Sequence, residues 1–165
     1  MIRPNEPPAP PAAIPGPHHF DCLLADSGYR GDEIALLDVI RHILLCFADP
    51  LAGHQERALA VAAKYFPGAG EDICVEILTM VRALRDRRFS PFDFSFPHCP
   101  ICRMQLTPCE RQLMEMLRAT RWREGASART YALMLCEGGD GTRLVAAARE
   151  LVFVVAAHLE NNRSR

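Results

Sequence analysis

Apolar residues recur every three or four positions along most of the chain, which is the spacing of one face of an α-helix. The pattern predicts six helices, at residues 32–48, 54–66, 71–87, 107–123, 127–136 and 141–160. Turn-forming residues follow several of them, such as Asp49-Pro50 after the first and Gly138-Gly139 after the fifth. The predicted fold class is therefore mainly α, a bundle of about six helices with a short β-hairpin-like segment between the third and the fourth.

Two of these helices carry more apolar surface than a single inward face requires. The apolar face of residues 32–48 is unusually wide, which predicts a central helix or the seam of a dimer. The centre of the last helix reads LVFVVAA, residues 151–157, and could be mistaken for a strand. Its larger apolar residues nevertheless keep helical spacing along the segment, so we interpret it as a buried helix.

Proline divides the chain near its start. Seven of the 13 prolines lie in the first 17 residues, a composition that cannot form regular hydrogen-bonded structure. We therefore predict a disordered arm at residues 1–20, an N-terminal helical layer at 21–90 and a C-terminal part at 91–165. The last two are expected to form one compact unit.

The segment between the third and fourth helices differs from the rest of the chain. Residues 91–110 read PFDFSFPHCPICRMQLTPCE, and Phe92, Phe94 and Phe96 alternate there with polar residues or proline. This alternation favours a short strand with its aromatic face inward. At the other end, Thr107 and Glu110 have the spacing of a capping box that starts the fourth helix.

The same segment carries the most specific candidate chemistry, a zinc knuckle. Cys99 and Cys102 form a Cys-x2-Cys pair with Pro100 in the turn, Cys109 follows seven residues later, and His98 precedes the first thiol. Two thiolates at this spacing can reach one tetrahedral ion. We predict a structural Zn2+ held by Cys99, Cys102, Cys109 and His98, which would replace the apolar core that this segment lacks.

Other interpretations of the cysteines remain open. The fourth ligand could instead come from elsewhere in the chain, from His18, His19, Cys74, Cys136 or His158. The thiols could also be small buried apolar groups. A redox dithiol is disfavoured because the pair does not begin a helix in a βαβ pattern, and an iron–sulfur cluster because the usual ferredoxin spacings are missing.

Composition and charge narrow the class of protein. No apolar run is long enough to cross a bilayer and the start lacks a signal-peptide core, so we expect a cytoplasmic protein without a membrane partner, whose thiols stay reduced. The formal net charge is −1, but residues 82–129 carry ten basic and five acidic residues. That excess predicts a basic face for nucleic acid, with these candidate contacts: Arg82, Arg85, Arg88, Arg118, Arg121 and Arg143.

The stretch LTPCERQLMEML, which begins at Leu106, resembles the opening of bacterial helix-turn-helix domains of the LuxR and OmpR types. Those domains begin Leu-Thr-Pro-x-Glu and continue with a leucine-rich helix, and the likeness covers residues 106–150. The resemblance implies transcription regulation, with the helix from Gly141 in the major groove and Arg143 and Arg149 presented to DNA. That helix is mostly apolar, however, and the turn before it is rich in glycine, which departs from the family pattern.

The sequence thus favours a non-catalytic regulatory or binding protein, stabilised by zinc and acting on DNA. The alternative is a protein–protein adaptor or homodimer that uses residues 32–48 and 151–157. A thiol or zinc enzyme is the third alternative. It is the least favoured because the chain shows no phosphate loop, no paired-carboxylate motif and no His-x-Glu partner for a catalytic zinc.

Overall fold

The computed structural model describes residues 22–50 and 53–164. Its helices are α1 (Gly31–Ala48), α2 (His54–Tyr65), α3 (Gly70–Arg85), α4 (Pro108–Arg121), α5 (Gly125–Leu135) and α6 (Thr142–Arg163), and its strands are β1 (Cys22–Leu23) and β2 (Gln105–Leu106). The mainly α prediction is confirmed. The predicted arm at residues 1–20, with His18 and His19, lies outside the described residues.

Helix α1 is the central helix of the fold. It is buried on almost every side, and Leu37, Val39 and Ile40 have no measurable exposure. Helices α2 and α3 pack against it, and α3 also packs along α6. The wide apolar face of this helix is therefore used inside the chain, because neighbours cover it on several sides.

Helices α4, α5 and α6 pack against one another and are called the three-helix unit below. A tight turn with Arg123 in the left-handed region (φ 60°) joins α4 to α5. Helix α5 begins at Gly125, two residues before the predicted cap Ser127. One cluster of buried apolar residues draws on all six described helices, so the unit shares its core with α1 and α3.

Residues 89–107, called the cysteine loop below, connect α3 to α4 mostly without regular structure. Strand β2 near its end pairs antiparallel with β1, with Cys22 opposite Leu106. The strand predicted from the phenylalanine alternation does not form. Instead Ser95 is fully buried while Phe96 is 38% exposed, because the backbone N–H of Ser95 is needed inside as a donor to Glu110.

None of the helices in the described ranges is long and apolar enough to cross a membrane.

Candidate functional site

A buried ion pair holds the cysteine loop to the helices. Arg41 of α1 and Glu110 of α4 are 2% and 0% exposed, and two guanidinium nitrogens of Arg41 contact the carboxylate at 2.6 and 2.9 Å. Nη1 of Arg41 donates to the loop carbonyl of Arg103 (2.7 Å), and Nη2, which also contacts Glu110, donates to that of Gln105 (2.6 Å). Each nitrogen of this guanidinium thus donates a hydrogen bond, which compensates for burying the charge.

The carboxylate of Glu110 is saturated in the same way. It accepts the backbone N–H of Ser95 at 3.0 Å and that of Thr107 at 2.9 Å. The Thr107 hydroxyl accepts the Glu110 N–H in return, so the predicted capping box is formed. The sequence pattern identified Glu110 as half of a cap but missed Arg41. The signal for Arg41 was a single formal charge within the apolar stretch VIRHILL, residues 39–45.

Cys99 and Cys102 lie together at the surface of the loop, in a single helical turn. The N–H of Cys102 donates to the sulfur of Cys99 at 3.2 Å, and the N–H of Arg103 donates to the Cys99 carbonyl at 3.0 Å. Cys99 therefore occupies the position of an N-cap, with Pro100 as the first residue of the turn. A one-turn 3-10 helix, Cys102–Met104, continues from it.

Hydrogen bonds shift the pKa values of the two thiols in opposite directions. The pKa of Cys99 is lowered, first because the Cys102 thiol donates to its sulfur and then because the N–H groups of Cys102 and Ile101 do so. The pKa of Cys102 is raised, first by its hydrogen bond to Cys99 and then by burial. Both residues are partly exposed at the surface of the loop.

His98 is exposed, and its ring lies beside those of two buried histidines. Its ring centroid lies 5.2 Å from that of His42 on α1 and 6.0 Å from that of His54 on α2. Burial lowers the pKa of His98, and the nearby His42, Arg57 and His54 lower it further. The Nδ1 atom of His54 is buried and has no hydrogen-bond partner among the described residues.

The four predicted zinc ligands are not brought together in one group. Cys109 is in the first turn of α4, where its sulfur lies 3.5 Å from the guanidinium of Arg88. Across residues 22–50 and 53–164, no group of three or more His, Cys, Asp or Glu side chains is arranged to hold a metal ion. Of the four predicted ligands, Cys99 and Cys102 are the two that lie in direct contact. The zinc site stays a prediction.

The candidate ligands named from elsewhere in the chain have other surroundings. Cys74 is buried on α3, where burial raises the pKa of its thiol to about 11 and its sulfur contacts the carbonyl of Ala58. Cys136 is fully buried in the shared core. His158 packs edge-on against Phe66.

Three of the six predicted nucleic-acid contacts are occupied within the protein. Arg88 donates to the carbonyl of Leu135, Arg118 lies 3.5 Å from Glu33, and Arg121 donates to Asp32 at 2.8 Å. These three side chains are partly buried, and they join the cysteine loop and α4 to the rest of the fold.

The other three predicted contacts are exposed but differ in their partners. Arg82 has no side-chain partner in the described part of the chain, Arg85 lies over the ring of Phe47 at 4.3 Å, and Arg143 lies 3.2 Å from Asp86. The predicted basic face is thus divided between exposed guanidiniums and guanidiniums used for folding.

A second set of arginines lines a surface groove along α6, which faces α5 and the end of α4 and is called the arginine groove below. It consists of two adjoining depressions that share Arg149, one reaching Arg123 and Phe153 and the other reaching Arg129. The three guanidiniums form no ion pair with a described carboxylate. Asp140 lies at one end of the groove, where the hydroxyl and N–H of Thr142 lower its pKa.

Comparison with protein-family models, with curated proteins and with solved structures gives no match to this chain. The chemistry of the chain's own surfaces is therefore the guide to its function.

Proposed function

We propose that the protein is a non-catalytic nucleic-acid-binding regulator that contacts duplex DNA through the arginine groove. The observation that carries the proposal is the set of Arg123, Arg129 and Arg149 around one groove, without carboxylate partners among the described residues. Guanidiniums already paired with carboxylates gain little from a phosphate. Unpaired ones release counterions from DNA when they bind it.

The position of the groove agrees with the resemblance to helix-turn-helix domains. In those domains the N-terminal residues of the recognition helix face the base edges. The first turns of α6 expose Thr142, Arg143, Ala146 and Arg149, and α5 supplies Arg129 beside them. The apolar residues that depart from a recognition-helix pattern, such as Leu151 and Val155, face the shared core.

The proposal is tested by fluorescence anisotropy of a labelled mixed-sequence duplex over a range of salt concentrations. Three phosphate contacts give a slope of log affinity against log salt of about −3. The variant carrying Arg123→Gln, Arg129→Gln and Arg149→Gln is expected to lose at least about tenfold in affinity at low salt and most of that slope. Arg149→Gln alone is expected to reduce the slope by about one.

The matched control removes the same charge from exposed cations that are not among the predicted contacts, with Arg57→Gln, Lys64→Gln and Arg163→Gln. We expect it to keep affinity within about threefold, because screening weakens charges distant from the contact. Equal loss in both triple variants would mean that net charge and not the groove governs binding. Wild-type affinity no better than that of a neutral protein would contradict DNA binding altogether.

The second candidate function, a protein adaptor or homodimer, is favoured by a specific exposed side chain. Phe153 lies in the middle of α6 within LVFVVAA and is 69% exposed beside the arginine groove. An apolar ring at such a position is typical of a protein contact when neighbouring apolar residues extend the patch. The α1 surface named with it in the sequence is already buried by α2 and α3.

Light scattering at increasing protein concentration tests this candidate. A homodimer would double the mass of the wild type, and Phe153→Ser would restore the monomer mass. Phe89→Ser is the control, since Phe89 is 92% exposed on the cysteine loop. A monomer at every concentration would contradict the homodimer.

A further inference from the structure

The turn at Cys99–Cys102 has a geometry that the DNA-binding proposal does not use. The two residues are three apart in one helical turn, so their side chains lie on the same side of it. The sulfur of Cys99 accepts the N–H of Cys102 at 3.2 Å, so the two residues are in direct contact. A disulfide between them requires the loss of two protons and of two electrons to an oxidant, and the two residues that would form it already share one turn.

Contacts on both sides hold this turn in place. Arg41, buried under the loop, donates to the carbonyl of Arg103 at 2.7 Å, directly after Cys102. Directly before Cys99, the ring of His98 packs against those of His42 and His54. A turn fixed at both ends keeps the two sulfurs adjacent, which raises the effective concentration of the second thiol toward anything bound to the first.

The same turn is open to solvent. Ile101 is 74% exposed, Met104 is 51% exposed and Pro100 is exposed as well. Cys99 and Cys102 are partly exposed residues, whereas Cys74 and Cys136 are buried. A molecule in solution can therefore approach Cys99 without any movement of the helices.

We propose that Cys99 and Cys102 form a redox-active dithiol that exchanges with low-molecular-weight disulfides of the glutathione class. The sulfur of Cys99 attacks one sulfur of the disulfide, and the other leaves as a thiolate that takes up a proton. The sulfur of Cys102 then gives up its proton and attacks Cys99, releasing the second thiol. The chain loses two electrons and two protons, and the disulfide is reduced to two thiols.

The order of attack follows from the hydrogen bonds. The sulfur of Cys99 accepts the backbone N–H of Cys102 at 3.2 Å, and such a donor stabilises a sulfur that carries negative charge. Cys102 supplies that N–H and acts second, as the resolving thiol. This differs from the zinc knuckle predicted from the sequence, in which both sulfurs would be permanent metal ligands.

The test uses the full-length reduced protein, incubated with mixtures of reduced and oxidised glutathione. Free thiols are then alkylated and mapped by peptide mass spectrometry, and zinc content is measured on the same preparation. We expect Cys99 and Cys102 to become protected together as one internal disulfide. Cys22 and Cys109 are internal controls, since each contacts an arginine instead of a second thiol.

Two variants separate the roles of the sulfurs. Cys102→Ser is expected to retain glutathione on Cys99, because the resolving thiol is missing. Cys99→Ser is expected to slow the modification of Cys102 by at least about tenfold, because the stabilised attacking sulfur is missing. Circular dichroism checks that both variants remain folded, and the wild-type mapping does not depend on them.

Three outcomes would overturn the proposal. One is a mixed disulfide that persists on the wild type without an internal bond. Another is a Cys99→Ser variant in which Cys102 reacts as fast as before. The third is a preparation with one zinc per chain whose two thiols resist oxidation, which would restore the zinc knuckle.

Discussion

The cysteine loop and the three-helix unit are neighbours in the chain but are stabilised in different ways. The loop has little apolar core of its own and is positioned by the Arg41–Glu110 pair, which supplies contacts to four of its backbone groups. The three-helix unit is held by apolar packing spread over many residues. The loop therefore depends on a few specific polar atoms, whereas the unit can spare its surface arginines for binding.

The largest effect is expected from Glu110→Gln. This change leaves the Arg41 guanidinium buried without a counter-charge, and breaking a buried ion pair costs about 3–5 kcal/mol of unfolding free energy. Denaturant unfolding measures it. The control Glu150→Gln removes an exposed carboxylate from α6 and is expected to change stability by less than about 0.5 kcal/mol. A loss below about 1 kcal/mol in Glu110→Gln would mean that the loop does not rest on this pair.

A smaller effect is expected from Gly141→Ala in the three-helix unit. A Cβ at this position would lie 2.8 Å from the Cβ of Ala132 and 3.1 Å from its carbonyl carbon, so α5 and α6 would have to separate. Such overpacking costs about 1–3 kcal/mol. Gly125→Ala is the matched control, because its nearest neighbour is the flexible end of Arg129 at 3.4 Å. Thermal unfolding of both variants measures this cost. Equal melting temperatures would show that α5 and α6 accommodate the extra methyl group without loss of stability.

Next in size is Thr107→Val at the junction of the two regions. The change removes the acceptor for the Glu110 N–H and the donor to the Asp93 carbonyl, and loss of a helix cap typically costs about 1–2 kcal/mol. Thr130→Val on the exposed side of α5 removes a hydroxyl that contacts only its own helix. We expect the control to be near neutral in denaturant unfolding. A similar cost in both would remove the distinction between loop and helix unit.

The smallest effect concerns pH and the contact between α1 and α4. Burial raises the pKa of Asp32, but the hydrogen bond from Arg121 and the charges of Arg30 and Arg121 outweigh it and the pKa is lowered. A carboxylate with a lowered pKa adds stability above its ordinary pKa of about 4, and this is lost as the pH falls through the folded value. We expect Asp32→Asn to lose less stability than the wild type between about pH 4 and pH 2. Parallel stability curves for the two proteins would show that this pair contributes nothing.

The local patterns along the chain predicted much of this fold. Helical periodicity located all six helices, with ends within a few residues, and Thr107 and Glu110 form the cap that their spacing indicated. Both signals are local, because a repeat of 3.6 residues or a cap three residues away needs no distant partner. The phenylalanine alternation predicted a strand that does not form, because a local pattern carries no information on distant partners. Ser95 is buried by its hydrogen bond to Glu110, a residue 15 positions away.

The candidate sites depended more on tertiary structure. The spacing of Cys99 and Cys102 determined that two thiols share a turn, because three residues of chain cannot separate them far. The position of α4 in the tertiary structure decides whether Cys109 reaches these two thiols. Its sulfur lies instead beside the guanidinium of Arg88. Likewise the sequence determined how many arginines the chain carries. The packing of α1, α3 and α4 decided which of them were used in ion pairs, because a guanidinium is available to a ligand only where no carboxylate has been brought beside it.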